Sequence, residues 1–343
     1  MRLPCLGNRP SSISLLWLLA TIPLVLSCDS GRHTPAETLL PAGSDTGEAQ
    51  SELAPPAKSP SGRIAFASVR DPDASEWALY VIETDGTGEQ MLMQGTLDDP
   101  PAWSPDGTRI ACAKRVSYGH TEIFLVEVQS GEATQLTHLN RNTASPAWSP
   151  DGTCIVFACD KDGDDMFDMD LWAIDSDGGN LRRLTHMRAP SSNPAWSPDG
   201  EEIAFMYDLQ SHEGPPDIYI VDADGSNLRN LTNSPLMEAF PAWAPDGRTV
   251  YFTSGTSEED VGVYRIRTDG TGRERVTCGV DRCGQASVSP DGEWLAVVGG
   301  QFGRPSEVYL VHLETGTSRP LTHNAYDEEC PTWSPACSAG GSE

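Results

Sequence analysis

The stretch PAWSPDG occupies Pro101–Gly107, returns inside SPAWSPDG at Ser145–Gly152, and returns again at Pro194–Gly200. A further copy carries Trp243, a decayed one reads ASVSPDG around Val288, and the last, PTWSP, carries Trp333. The six reference positions are spaced by 45, 48, 47, 45 and 45 residues. Regular self-similarity at roughly 20–50 residues is the mark of a repeat architecture.

Each repeat carries the same four short segments. The PAW stretch is followed by an apolar run, as in RIACAK (Arg109–Lys114), CIVFAC (Cys154–Cys159) and EIAFMY (Glu202–Tyr207). A third segment resembles DIYIVDADG (Asp217–Gly225), and a fourth resembles LRNLT (Leu228–Thr232). Alternation and enrichment in Val, Ile, Tyr and Phe favour strands, and the DG, SG and TG pairs between the last two favour tight hairpins. Repeated four-stranded units of this length imply an all-β fold, a β-propeller. RIAFAS, WALYVIETDG and EQMLM precede the first PAWSPDG, and the chain ends soon after PTWSP. The count is therefore six blades, with one blade shared between the N- and C-terminal strands so that the ring closes without a free edge.

The SPDG tetrad has the chemistry of a turn: Pro fixes φ, Asp bonds back to the main chain, and Gly accepts positive φ. Trp ends the innermost strand, where adjacent blades pack. A motif on every blade reads as a brace and not as a site. Taken together, PAWSPDG, RIAFAS, DIYIVDADG and LRNLT resemble the repeats of the TolB family of bacterial envelope propellers over about residues 61–335. The resemblance implies an exported scaffold that binds protein or ligand. TolB carries an α/β domain ahead of its propeller, whereas only a short polar segment, 29–60, precedes the repeats here.

That segment follows a targeting signal. Arg2 and Arg9 precede an apolar run, Ile13–Leu26, which is shorter than the roughly 20 residues of a membrane span. It ends in Val25-Leu26-Ser27-Cys28, which resembles a lipobox and makes Cys28 the expected lipidation site, with an ordinary secretory signal as the alternative. The expected organisation is a signal peptide over 1–27, a disordered tether over 28–60, the propeller over 61–336 and a tail over 337–343. The only expected membrane contact is the N-terminal lipid, placing the protein in the bacterial envelope on the periplasmic or cell-surface side.

Charge narrows the partners. Lys and Arg number 23 against 50 Asp and Glu, a net of −27, which repels nucleic acid and leaves an envelope protein or glycan as the expected partner of a monomer. Nine cysteines include Cys5 and Cys28, leaving seven. In an exported chain the close pairs Cys278/Cys283 and Cys330/Cys337 are able to oxidise, whereas Cys154 and Cys159 face opposite sides of one strand and do not pair.

Chemistry is sparse. There is no GxSxG elbow. His138, His186 and His323 recur in LTH, but the fourth strand is outermost, roughly three strand spacings of ~4.8 Å from the pore, so they share no metal. The loop DKDGDDMFDMD, Asp160–Asp170, packs six aspartates, and Asp160, Asp162 and Asp164 are candidate Ca²⁺ ligands, although the EF-hand spacing fails and an acidic solvated loop is the plainer reading. Loops after the second and fourth strands open on one face. That face gathers acidic and aromatic residues, and Tyr326, Asp327, Glu328, Glu329 and Phe167 are its expected partner-binding members. The expected function is a non-catalytic binding scaffold; the alternative is a polysaccharide lyase or hydrolase using the central pocket.

Overall fold

The computed structural model describes residues 60–70, 76–97, 99–117, 120–160, 169–187, 189–208, 214–256, 260–301 and 303–336. The signal, Cys28, the tether and the tail lie outside these residues, as do Asp162, Asp164 and Phe167. Among the described residues every regular element is a strand, and no helix is long and apolar enough to cross a membrane.

The 24 strands fall into quartets. The first joins β1 (Arg63–Ser68), β2 (Trp77–Glu83) and β3 (Gln90–Thr96) to the last strand of the chain. The second is β4 (Ala102–Trp103), β5 (Arg109–Ser117), β6 (His120–Glu127) and β7 (Ala133–Gln135). The third is β8 (Thr143–Trp148), β9 (Cys154–Asp160), β10 (Met169–Asp175) and β11 (Arg182–Arg183). The fourth is β12 (Ser191–Trp196), β13 (Glu202–Tyr207), β14 (Asp217–Asp222) and β15 (Arg229–Asn230). The fifth is β16 (Met237–Trp243), β17 (Thr249–Gly255), β18 (Gly262–Arg267) and β19 (Glu274–Arg275). The sixth is β20 (Gly284–Val288), β21 (Trp294–Gly299), β22 (Glu307–His312) and β23 (Ser318–Pro320), after which β24 (Glu328–Trp333) completes the first. All pairings are antiparallel.

Hydrophobic burial lies between quartets. Each of six clusters draws on two successive quartets: Ala65 with Ile110, Ala111 with Ile155, Val156 with Phe205, Ala204 with Phe252, Tyr251 with Leu295, and finally Ala296 with Phe66. The last cluster returns to the first quartet, so the succession closes. Second strands are thus buried on both faces, which is why CIVFAC is a continuous apolar run with no residue open to solvent.

Closure is visible at the termini. Pairing of β1 with β24 matches Ile64 to Trp333 and Ser68 to Glu328. The Ser334 hydroxyl accepts from the Arg63 N–H at 2.9 Å, and Ser334 N–H donates to the Arg63 carbonyl at 2.8 Å. Ser104, Ser149, Ser197 and Ser289 make the same pair of bonds to a residue five positions ahead. The last repeat dispenses with Asp-Gly because its second strand comes from the other end of the chain.

One departure from separate blades has a cause in a single residue. Five inner strands carry a bulge whose central residue has positive φ: Ser145, Asn193, Phe240, Gln285 and Cys330, at 49–55°. The equivalent residue of the second quartet is Pro100, whose ring forbids that conformation. Its inner strand shrinks to Ala102–Trp103, and Thr96 pairs with Lys114 instead, joining the first two quartets into one eight-stranded sheet.

Candidate functional site

The repeated residues account for themselves first. In the turns, Ser104, Ser149, Ser197 and Ser289 donate to Asp106, Asp151, Asp199 and Asp291 at 2.5–2.6 Å, and the Asp oxygen also accepts the main-chain N–H two positions on. These bonds hold the Asp106, Asp151 and Asp199 carboxyls below the usual carboxylate range. Each Trp faces the preceding quartet. The Trp103 indole donates to the Thr332 carbonyl at 3.2 Å and the Trp243 indole to Ala195 at 3.0 Å, while the guanidiniums of Arg63 and Arg109 lie 5.0 and 4.9 Å over the Trp103 and Trp148 rings.

The LT pairs form a second brace that periodicity alone did not reveal. Thr137, Thr185, Thr232 and Thr322 donate to Glu122, Asp170, Asp217 and Glu307, acids within the first three residues of the third strands, at 2.5–3.0 Å. Each threonine oxygen accepts the N–H following the acid, and each acid accepts an N–H of the loop after LT. His138, His186 and His323 follow these threonines and are exposed. In the fifth quartet the acid position is Gly262 and Thr277 is exposed, and the expected Cys278–Cys283 disulfide ties the same loop to β20. Cys154 and Cys159 are not joined, as expected from their opposite faces.

The residues that do not repeat meet at the centre. The six inner strands enclose a cavity of about 470 Å³ lined by prolines, hydroxyls, amides and tryptophan edges, with no charged side chain. At its loop-side end stand the bulge residues. Asn193 Nδ2 donates to Ser145 Oγ at 3.2 Å, Ser145 Oγ donates to Asp99 Oδ1 at 3.1 Å, and the Cys330 N–H donates to Gln285 Oε1 at 2.6 Å. Loss of hydration pushes the Asp99 carboxyl up to about 6 against the pull of Ser145. Non-glycine residues held at positive φ carry local strain, of order 1–3 kcal/mol each, and persist where the surroundings fix them. Sequence reading passed over this collar because Pro, Ser, Asn, Phe, Gln and Cys share no chemistry. The available signal was their common place before the PAW tripeptide.

The expected site residues divide. Asp327 is exposed and Tyr326 and Glu329 are half-buried at the loop face. Glu328 does not face solvent: it is fully buried, its Oε1 accepting from Arg70 Nη2 at 3.1 Å and Asn324 Nδ2 at 2.6 Å. It starts an inner strand, where alternate side chains point into the quartet interface, so consecutive acids cannot all reach the surface. Burial first, then the nearby Glu307, pushes its carboxyl up to about 7. Glu238 repeats this arrangement in the fifth quartet, paired with Arg273 Nη2 at 2.9 Å and raised by burial. Asp160 is also buried, its Oδ2 accepting from the N–H and the amide of Asn142, both at 3.0 Å. Asp162 and Asp164 are outside the described residues, among which no three His, Cys, Asp or Glu side chains are placed to hold a metal.

A closed succession of four-stranded antiparallel quartets around a central channel is a β-propeller. The chain is TolB-like: residues 57–211 match the TolB beta propeller domain, and residues 166–277 match the Tricorn protease N-terminal beta propeller domain. The Tol-Pal system protein TolB of Zymomonas mobilis is 45% identical over 49 residues, 14% of this chain and 11% of that relative, so the chain spans about a tenth of its length in that alignment. The structure of TolB from Acinetobacter baumannii superposes with a TM-score of 0.65 at 21% identity, covering 80% of this chain and 67% of that one. An oligogalacturonate lyase of Vibrio parahaemolyticus shares the fold at a TM-score of 0.51 and 16% identity, over 71% of this chain and 70% of the other.

Proposed function

We propose that this protein is an exported binding scaffold of the bacterial cell envelope that holds a protein or envelope polymer on its loop face and catalyses no reaction. One observation carries the reading: the recurring residues of the described quartets are engaged in bracing, while the variable ones gather at the collar and the adjoining loops. A TolB relative named for the Tol-Pal system supports an envelope setting and protein binding in coarse form. The lipobox at Cys28 supports attachment to a membrane through lipid, with 29–60 as the tether. The second reading, a polysaccharide lyase or hydrolase, has the oligogalacturonate lyase likeness in its favour, and turnover of a glycan panel by purified protein would replace the scaffold reading with it.

The test is cross-linking in intact cells followed by identification of captured envelope proteins. Reversing Asp327 and Glu329 together to Lys is expected to abolish capture; because Asp327 Oδ1 also accepts the Ser306 N–H at 3.1 Å, the neutral pair Asp327→Asn and Glu329→Gln, matched to it in melting temperature, is the control for folding. Capture that survives the double reversal removes this face from the proposal. Cys28→Ser is expected to move the protein from the membrane fraction to the soluble one.

A further inference from the structure

Two of the five described seams between quartets carry a second acid. The position five residues before the motif Trp stands at or beside the start of an inner strand. It is Glu328 at the sixth–first seam and Glu238 at the fourth–fifth, but Thr143, Ser191 and Cys283 at the other three. The equivalent Asp98 lies outside the described residues. Each of these two acids faces the third-strand acid of the preceding quartet across an LT threonine: Glu328 and Glu307 across Thr322, Glu238 and Asp217 across Thr232.

The threonine cannot serve both. Its one hydrogen goes to the third-strand acid, at 2.6 Å to Glu307 and 3.0 Å to Asp217, and its oxygen already accepts the N–H of Val308 or Ile218. Glu328 and Glu238 are fully buried, and each keeps an Oε2 with no hydrogen-bond partner. One guanidinium serves each seam through the other oxygen. Arg273 Nη2 donates to Glu238 Oε1 at 2.9 Å and to Ser254 Oγ at 3.0 Å, its Cζ 4.5 Å over the Tyr264 ring. Arg70 Nη2 donates to Glu328 Oε1 at 3.1 Å, lies over Tyr80 with Tyr326 nearby, and is shared with the half-buried Glu89. Three carboxyls therefore stand against one guanidinium at the first of these seams and two against one at the second. With every acid charged, each seam would bury a negative charge that nothing offsets.

The same acids hold the loops that lead into the inner strands. Glu307 Oε1 accepts the Asn324 N–H at 2.9 Å while Asn324 Nδ2 donates to Glu328 at 2.6 Å, and Asp217 Oδ1 accepts the Ser234 N–H at 3.0 Å. Burial pushes the Glu328 carboxyl up to about 7, with Glu307 adding to it and Thr322, Asn324 and Arg70 opposing. Burial likewise raises Glu238 against Thr232, Arg273 and Ser234.

We infer that each acid pair holds a single proton and keeps its seam closed at the loop face only while that proton is in place. With the proton, the unpartnered oxygen belongs to a neutral carboxyl; when the proton passes to solvent, the buried charge is relieved by opening of loops 322–328 and 232–238. Tyr326 and Asp327 ride on the first loop, so the proton controls part of the surface proposed for a partner. The inference goes beyond the scaffold reading and does not depend on it.

The test is amide hydrogen exchange of the chain, read residue by residue at about pH 5.5 and about pH 8 and corrected for intrinsic rates. At the higher pH, about one unit above the Glu328 value, protection of the Asn324 N–H is expected to fall at least about tenfold, and that of the Ser234 N–H is expected to fall with it. The Asn140 and Met187 N–H groups make the same bond to Glu122 and Asp170 in the seams that carry Thr143 and Ser191, and are expected to change less than about twofold. Glu328→Gln is expected to hold Asn324 at its acid-side protection while Ser234 still responds, and Glu238→Gln the converse. Protection that falls alike at all four amides, that stays level at Asn324 and Ser234, or that still falls at Asn324 in Glu328→Gln would each overturn the inference. If a Gln variant does not fold, the wild-type contrast between the two pairs of amides decides the matter alone.

Discussion

At the residue scale, the LT threonine shows how a small side chain decides a connection. Thr185 is buried; it donates to the buried Asp170 at 3.0 Å and accepts the Leu171 N–H at 2.9 Å. Valine has the same shape and neither bond. Thr185→Val leaves a buried carboxylate one donor short and an N–H unpaired, and the expected cost is about 2–3 kcal/mol in urea unfolding. An unchanged midpoint would show that Asp170 is satisfied by Arg183 and the Met187 N–H alone. The turn serine is more replaceable, since Ala244 stands in for it in one repeat and Asp246 instead accepts the N–H groups of Arg248 and Thr249.

At the scale of elements, the fifth quartet has exchanged one fastening for another. It lacks the acid and buried threonine of the clamp and has the Cys278–Cys283 disulfide across the same loop. With the half-cystines five positions apart in sequence, the entropic contribution of such a small ring is on the order of 2 kcal/mol. Reduction, or paired replacement of both cysteines by serine, is expected to lower the melting temperature by several degrees. Equal melting with and without reductant would show that β20 needs no tie. The period made the strands and turns of every quartet legible in the sequence, because each unit solves the same local problem. The long-range exceptions were not legible. Pro100 looks like one more proline until the bulge at the other five positions shows that this place requires positive φ. Glu328 looks like the middle of an acidic loop until strand pairing puts it inside an interface.

For the whole molecule, pH acts on two populations of carboxyls in opposite directions. Asp106, Asp151 and Asp199 titrate below their ordinary range because Ser and main-chain donors favour the charged form. Their contribution is present above the unfolded value and is lost as pH falls through the folded one, so acid loosens the turns. Glu328 is raised to about 7, so its contribution is present below the unfolded value of about 4.5 and is lost as pH rises through 7. The amount is on the order of 3 kcal/mol. Melting temperature is expected to peak between these windows, and Glu328→Gln is expected to flatten the fall between pH 5 and 8. A wild-type curve that rises through pH 7 would contradict the assignment. Deleting residues 328–336 is expected to convert a cooperative melt into aggregation, because it strips β1 of its partner and opens an edge.

The repeat, the order of strands, the turn chemistry and the sharing of one quartet between early and late strands are all readable from the order of amino acids. The first three follow from short-range preferences written five or six times over, and the last from the phase in which the repeats begin and end. Which acids are buried, where the clamps and the disulfide act, and how six unlike residues form a collar emerge only once the quartets pack. Those properties depend on which quartet lies beside which, and contacts between strands some 45 residues apart leave no local pattern to read.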